Sequence, residues 1–234
     1  MTEMKKIYFA LIAFAAIFMT VDANAQLTVG AGYNHEVMTE RAGGDDESEG
    51  LDGFYIEATY DWDFLEDYWG LLAIQPGLRF SYMGNSESEE LMGVKMRSSL
   101  NETYFDIPVH VKYSYPLGDL KLSAFAGPVF SLGLSSSAKF TMKGDGEDYM
   151  TKVSLYTGKT VSKGDDGGYD AELDGSATDY ARFDLKLGVG VGASIADVIS
   201  VKAGYNFGLL NRYTGEYDYK IHTGVFYVGL GFSF

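Results

Sequence analysis

The sequence predicts an all-β chain, an eight-stranded antiparallel up-and-down transmembrane β-barrel, and three features carry that expectation. First, the chain ends in strict alternation: Phe226, Val228, Leu230, Phe232 and Phe234 fall at every second position, separated by Tyr227, Gly229, Gly231 and Ser233. In an extended strand the five apolar side chains share one face, which suits hydrocarbon, so the segment reads as a membrane insertion strand. Second, the same period recurs along the chain. Third, beyond the first 25 residues no window holds the ~20 consecutive apolar residues of a spanning helix.

The opening residues predict an export signal. Lys5 and Lys6 precede an apolar run over 7–19, and Ala23-Asn24-Ala25 supplies small residues before Gln26. The run is too short to cross a bilayer, which favours a cleaved signal peptide, 1–25, over a retained anchor. The expected barrel then occupies 26–234.

Each remaining strand follows from its two faces. In 27–37, Leu27, Val29, Ala31 and Tyr33 oppose Thr28, Gly30, Gly32 and Asn34; in 53–62, Phe54, Ile56, Ala58, Tyr60 and Trp62 oppose Tyr55, Glu57, Thr59 and Asp61. The third, 72–82, sets Leu72, Ile74, Pro76, Leu78, Phe80 and Tyr82 against Gln75, Arg79 and Ser81. The fourth, 104–115, sets Phe105, Ile107, Val109 and Val111 against Asp106, His110 and Lys112. Even-numbered residues from Leu120 to Leu132 form the apolar face of the fifth. Phe183, Leu185, Leu187, Val189 and Val191 oppose Arg182, Asp184, Lys186, Gly188 and Gly190 in the sixth, 180–195. Val201, Ala203, Tyr205 and Phe207 oppose Lys202, Gly204 and Asn206 in the seventh, 199–210, and the C-terminal strand is the eighth.

The connections alternate in length. Short turns are expected at 63–69, 116–119 and 196–198, and long acidic external loops at 38–50, 84–100 and 135–178, an asymmetry that puts both termini in the periplasm of a Gram-negative bacterium. Two weakly alternating pieces, 137–143 and 149–156, extend the barrel or add a hairpin that would make ten strands. A soluble lipocalin-like barrel is the other alternative, but it would turn the charged rows outward.

Composition narrows the function classes. Lys and Arg number 18 against 33 Asp and Glu, a net charge of -15, which argues against nucleic acid as a partner. Cysteine is absent, so neither a lipidated cysteine nor a thiolate metal site is available. Glu57, Arg79, Asp106, His110, Lys112, Arg182, Asp184 and Lys186 all fall on the face opposite the apolar one and are expected to form a structural polar cluster within the lumen, since a buried charge needs a partner. His110 lacks a local nucleophile signature. His35 and His222, near the far ends of the first and last strands, are two histidines without a third ligand. Asp165-Asp166-Gly167-Gly168 with Asp170, Glu172 and Asp174 offers hard oxygen donors but fits a calcium loop poorly. No catalytic residue, metal or cofactor is therefore assigned. Tyr60, Trp62, Trp69, Tyr113, Tyr115 and Phe234 at one strand end suit a girdle at the headgroup layer.

The segment Tyr104-Phe105-Asp106-Ile107-Pro108-Val109-His110-Val111-Lys112-Tyr113, followed by Phe125-Ala126-Gly127-Pro128-Val129-Phe130, resembles the PorT-like outer-membrane β-barrel family of the Bacteroidetes. An acidic-Ile-Pro step opening a strand that ends in Lys-Tyr, and a Gly-Pro pair in the next, carry the likeness; His110 departs from it, where an aliphatic residue is expected. The resemblance implies an outer-membrane barrel inserted by the outer-membrane assembly machinery and surrounded by outer-membrane lipid and lipopolysaccharide. The expected function is non-enzymatic, a closed or nearly closed barrel with an envelope-structural role or a surface partner reached through the acidic loops. A narrow OmpW-like transporter and a lipid-acting hydrolase using His110 or His222 are the competing classes.

Overall fold

The computed structural model describes residues 26–42, 45–67, 70–91, 93–144, 147–164, 171–173, 179–217 and 219–234. Among the described residues there are eleven strands: β1 (Gln26–Ala42), β2 (Asp45–Asp67), β3 (Gly70–Leu91), β4 (Val94–Leu117), β5 (Leu120–Gly144), β6 (Glu147–Ser154), β7 (Thr160–Gly164), β8 (Ala171–Leu173), β9 (Phe183–Ile195), β10 (Ile199–Gly208) and β11 (Tyr219–Ser233). They form one sheet in the order β4-β3-β2-β1-β11-β10-β9-β5-β6-β7-β8, and β4 also pairs with β5. The ladder from β1 through β2, β3, β4, β5, β9, β10 and β11 therefore returns to β1, antiparallel throughout.

This corrects the expected eight-stranded barrel, and equally its ten-stranded alternative: among the described residues the sheet has eleven strands. The strands do not stop where their apolar alternation stops. β4 and β5 run for 24 and 25 residues, more than twice the ~9–11 that a tilted spanning strand takes. Segments 38–50, 84–100 and much of 135–178, expected as loops, are largely ladder, because backbone pairing needs no apolar side chains. Over 137–144 β5 pairs with β6, whereas β9 leaves β5 at the Leu132–Phe183 pair; β6, β7 and β8 continue the sheet beyond that point. The expected signal segment, 1–25, lies outside the described residues.

The side-chain sorting excludes the lipocalin-like alternative. Leu230 is 66% and Val191 61% exposed on the outer surface, while Glu57 and Arg79 retain 6% and 4%. Trp62, Tyr113, Tyr115 and Phe234 are exposed at the end that carries the C terminus, called proximal below; Tyr60 is instead covered by its neighbours, and Trp69 lies outside the described residues. Two tight turns close strands at that end. Ala196 and Asp197, at φ 51° and 55°, are the central residues of a turn closed by the Val198 amide on the Ile195 carbonyl (3.0 Å) within the three-residue β9–β10 connection, the left-handed pair of a type I′ turn, and Gly118 at φ 69° serves the β4–β5 turn.

Candidate functional site in the polar interior

Midway through the interior, Glu57 and Arg79 oppose each other across β2 and β3. Arg79 donates Nε (3.1 Å) and Nη2 (2.9 Å) to the same oxygen, Oε2 of Glu57, while Lys202 reaches from β10 to Oε1. The guanidinium also lies over the rings of Tyr55 (4.5 Å) and Tyr227 (4.1 Å). Room for Tyr55 comes from Gly32 on β1 and Gly229 on β11, which are paired in register; a Cβ at Gly32 would stand 2.7 Å from the ring. Glycine here supplies close approach.

Toward the proximal end, Lys112 pairs with Asp61 at 2.6 Å and Gln75 donates to the same carboxylate at 2.5 Å. These groups, with Lys121, Ser123 and Ser200, line a cavity of ≈ 80 Å³. His110 is buried with its ring 5.1 Å from Phe125, and its Nε2 has no hydrogen-bond partner among the described residues. Among the described residues neither Ser81 nor Ser123, the serines of neighbouring strands that could serve as its nucleophile, is hydrogen-bonded to it. Asp106 instead accepts from Ser131 at 2.5 Å, and Asp184 accepts from Thr223 (3.2 Å) and the Leu210 amide (3.3 Å). Lys186 is buried with its ammonium 4.9 Å from the Tyr104 ring. Arg182 departs from the expected cluster. The strand begins only at Phe183, so Arg182 is exposed at the mouth, over the Tyr156 ring at 4.9 Å.

A second polar layer closes around Arg212 near the distal end. Its Nη1 donates to the Tyr104 hydroxyl at 2.5 Å and its Nη2 to Tyr156 at 2.9 Å; Tyr104 in turn donates to Glu102, which lies 3.6 Å from Arg212 and also accepts from Ser136 at 2.8 Å. Glu36, fully buried, adds a second carboxylate 3.5 Å from the Tyr104 hydroxyl. Sequence reasoning missed this layer. Glu36 lies on the inner row of Asn34 within the expected strand 27–37, where nothing local singles it out, and Glu102 continues the inner row of Tyr104 by one period just before the expected strand 104–115. Arg212 sits in an irregular segment without periodicity.

Beyond the apolar belt, on the outer surface, Asp52 accepts from Tyr33 and lies 2.7 Å from Nδ1 of His35. Those two hydrogen bonds, Tyr33 first, hold its carboxyl below the usual range. Tyr219, on the inner row, donates to Glu40, and burial followed by that contact pushes its hydroxyl up to about 12. Register separates the two outer histidines: His35 opposes Phe226 and His222 opposes Thr39, four residues further along, or roughly 13 Å. Among the described residues no group of three or more His, Asp or Glu is placed to hold a metal ion. Asp165, Asp166, Asp170 and Asp174 of the carboxylate-rich stretch lie outside those residues.

The geometry, a sheet returning on itself with apolar side chains out and ions in, defines the class, and comparison agrees. Residues 8–234 match the model of the outer membrane protein beta-barrel domain, and the chain belongs to that family. It is an outer-membrane protein of a Gram-negative bacterium. Among solved structures it is similar to Ail, the attachment invasion locus protein of Yersinia pestis (14% identity, TM-score 0.41, covering 90% of this chain and 99% of that one). It is also similar to neisserial surface protein A (13%, TM-score 0.38, 89% and 97%) and to the outer membrane enzyme PagL (10%, TM-score 0.37, 85% and 98%). No curated protein sequence matches.

Proposed function

We propose that this protein is a small non-enzymatic outer-membrane barrel with an occluded interior, both termini periplasmic, that presents the distal part of its sheet at the cell surface. The observation that carries this reading is the stacking of Arg79 between Tyr55 and Tyr227 at mid-depth, with Glu57 and Lys202 completing a layer of side chains across the bore. Buried Tyr55, Arg79 and Tyr227 fill the interior at that level, and the Arg212 layer adds a second barrier. Ladders on β1 to β5 that outrun a bilayer by many residues support a role in display at the surface. The PorT-like likeness of 104–113 and 125–130 fits an envelope role of this kind.

A hydrolase would need a nucleophile on His110, whose ring neighbour is Phe125. A narrow transporter would need the Arg79 layer to part. Conductance of the purified protein in planar bilayers tests the reading: no discrete openings are expected, and stable unitary currents would replace it with the transporter.

A further inference from the structure

The distal sheet sorts its charge by face. Cross-strand partners share a side, so the register extends the outer, apolar-belt row of Phe80 and Tyr82 upward to Ser86, Ser88 and Glu90 on β3, and to Asn101, Ser99, Arg97 and Lys95 on β4. Lys139 and Lys143 on β5, Lys152 on β6 and Lys163 on β7 continue it. The inner rows of the same end carry Glu36, Glu40, Glu47, Glu49, Glu87 and Glu89. In a chain of net charge -15 the outward rows of this end thus collect cations, with Glu90, Asp148 and Asp52 among them, while the inner rows carry a run of glutamates.

On that outward face, Glu90 and Asp148 are each paired, with Lys95 at 3.7 Å and Lys143 at 2.7 Å. Arg97, Lys139, Lys152 and Lys163 are exposed and have no acidic partner among the described residues, Arg97 spending its Nε on Ser86 at 2.7 Å. Two adjoining hollows, of ≈ 540 and ≈ 410 Å³, meet at Arg97, Lys139 and Thr141. Glu89 and Glu90 edge the first, and Asp52 edges the second, where Ser86, Ser99 and Asn101 add hydroxyl and amide groups. Tyr82, the last ring of the belt on β3, donates to Asn101 at 2.8 Å and forms the floor of the second hollow. From Tyr82 to Glu90 a tilted strand climbs roughly 20 Å, the height of headgroups and the sugars above them.

We propose that this outward face of β4 and β5, centred on Arg97 and Lys139, binds the phosphorylated saccharide of the outer-leaflet glycolipid. A guanidinium and an ammonium match phosphate oxygens, the flanking hydroxyls and amide match sugar hydroxyls, and the continuous apolar belt beneath accepts the acyl chains. The inference rests on the proposed orientation, in which the distal end faces outward.

The test uses the full protein in nanodiscs and a purified short-core lipooligosaccharide bearing its phosphates. Binding at least 10-fold tighter for wild type than for Arg97→Gln/Lys139→Gln is expected, with the same loss when the glycolipid is enzymatically dephosphorylated and no loss for Lys220→Gln on β11. The de-acylated, phosphorylated saccharide is expected to compete weakly; full competition would mean a free sugar-phosphate site and would overturn the membrane source. Equal binding by the double variant, or by dephosphorylated glycolipid, would overturn the site. Orientation is separated by labelling Lys152→Cys on intact cells with an impermeant maleimide. Labelling without charge-dependent glycolipid binding defeats this inference alone, and absence of labelling defeats the orientation with it.

Discussion

Both donors that Arg79 offers to Glu57 converge on one carboxylate oxygen, leaving the other for Lys202 on the far wall. The Glu57–Lys202 pair is thus a strut between strands that are not neighbours, β2 and β10, with Glu57 and Arg79 buried and Lys202 half-buried.

Arg79→Ala would strand a carboxylate in that layer with Lys202 as its remaining cation. Removing one member of a buried pair costs about 3–5 kcal/mol, because the survivor keeps its desolvation cost. Equilibrium denaturant unfolding in lipid vesicles is expected to show a loss of that order for Arg79→Ala and a smaller one for Arg79→Lys. A loss under ~1 kcal/mol would mean that Glu57 finds water.

Gly229→Val should collide with the Tyr55 hydroxyl and crowd the Ala31 carbonyl, 2.7 Å from the new Cβ. Overpacking of this kind costs about 1–3 kcal/mol. Combining it with Tyr55→Ala is expected to recover part of that loss, and the coupling in a double-mutant cycle measures the contact directly. Tyr55→Phe removes a buried hydroxyl that lacks a hydrogen-bond partner among the described residues, so it should cost less than about 1 kcal/mol.

How legible this was follows from the same residues. Alternation reveals which face Glu57, Arg79 and Gly229 occupy, since parity is a property of the strand itself. That Gly229 makes room for Tyr55 depends on a ring two strands away, and no local pattern carries it. Strand length is missed for a related reason: alternation of polarity reports the medium on each side, so in the polar segments 38–50 and 84–100 the ladder continues without that signal, and the added strands β6, β7 and β8 lie in the equally polar stretch 135–178. Glu36, inside the expected strand 27–37, carries no local sign of its distant partners, Glu102 lies just before the expected fourth strand, and Arg182 falls one residue before the strand that begins at Phe183.

Asp52 supplies a pH-dependent prediction. Its pKa is lowered by Tyr33 and His35, so the unfolded chain binds more protons at acidic pH; its contribution to stability is present above the unfolded value and is lost as pH falls through the lower folded value. A carboxyl ¹³C titration should place the Asp52 midpoint below the ordinary ~3.9, and Tyr33→Phe should raise it. A wild-type midpoint at or above that value would contradict the contact.

The central claim is that neighbouring residues of one strand look into different media, and the absence of cysteine lets single nitroxide labels test it. Ser200, lining the inner cavity, and Val201, on the outer surface, are adjacent on β10. Labels at Ser200→Cys and Val201→Cys in lipid vesicles are predicted to respond oppositely, the one at 201 relaxed mainly by oxygen dissolved in the bilayer and the one at 200 protected from it. Oxygen-dominated relaxation at 200, with relaxation by a water-soluble nickel chelate at 201, would contradict the account.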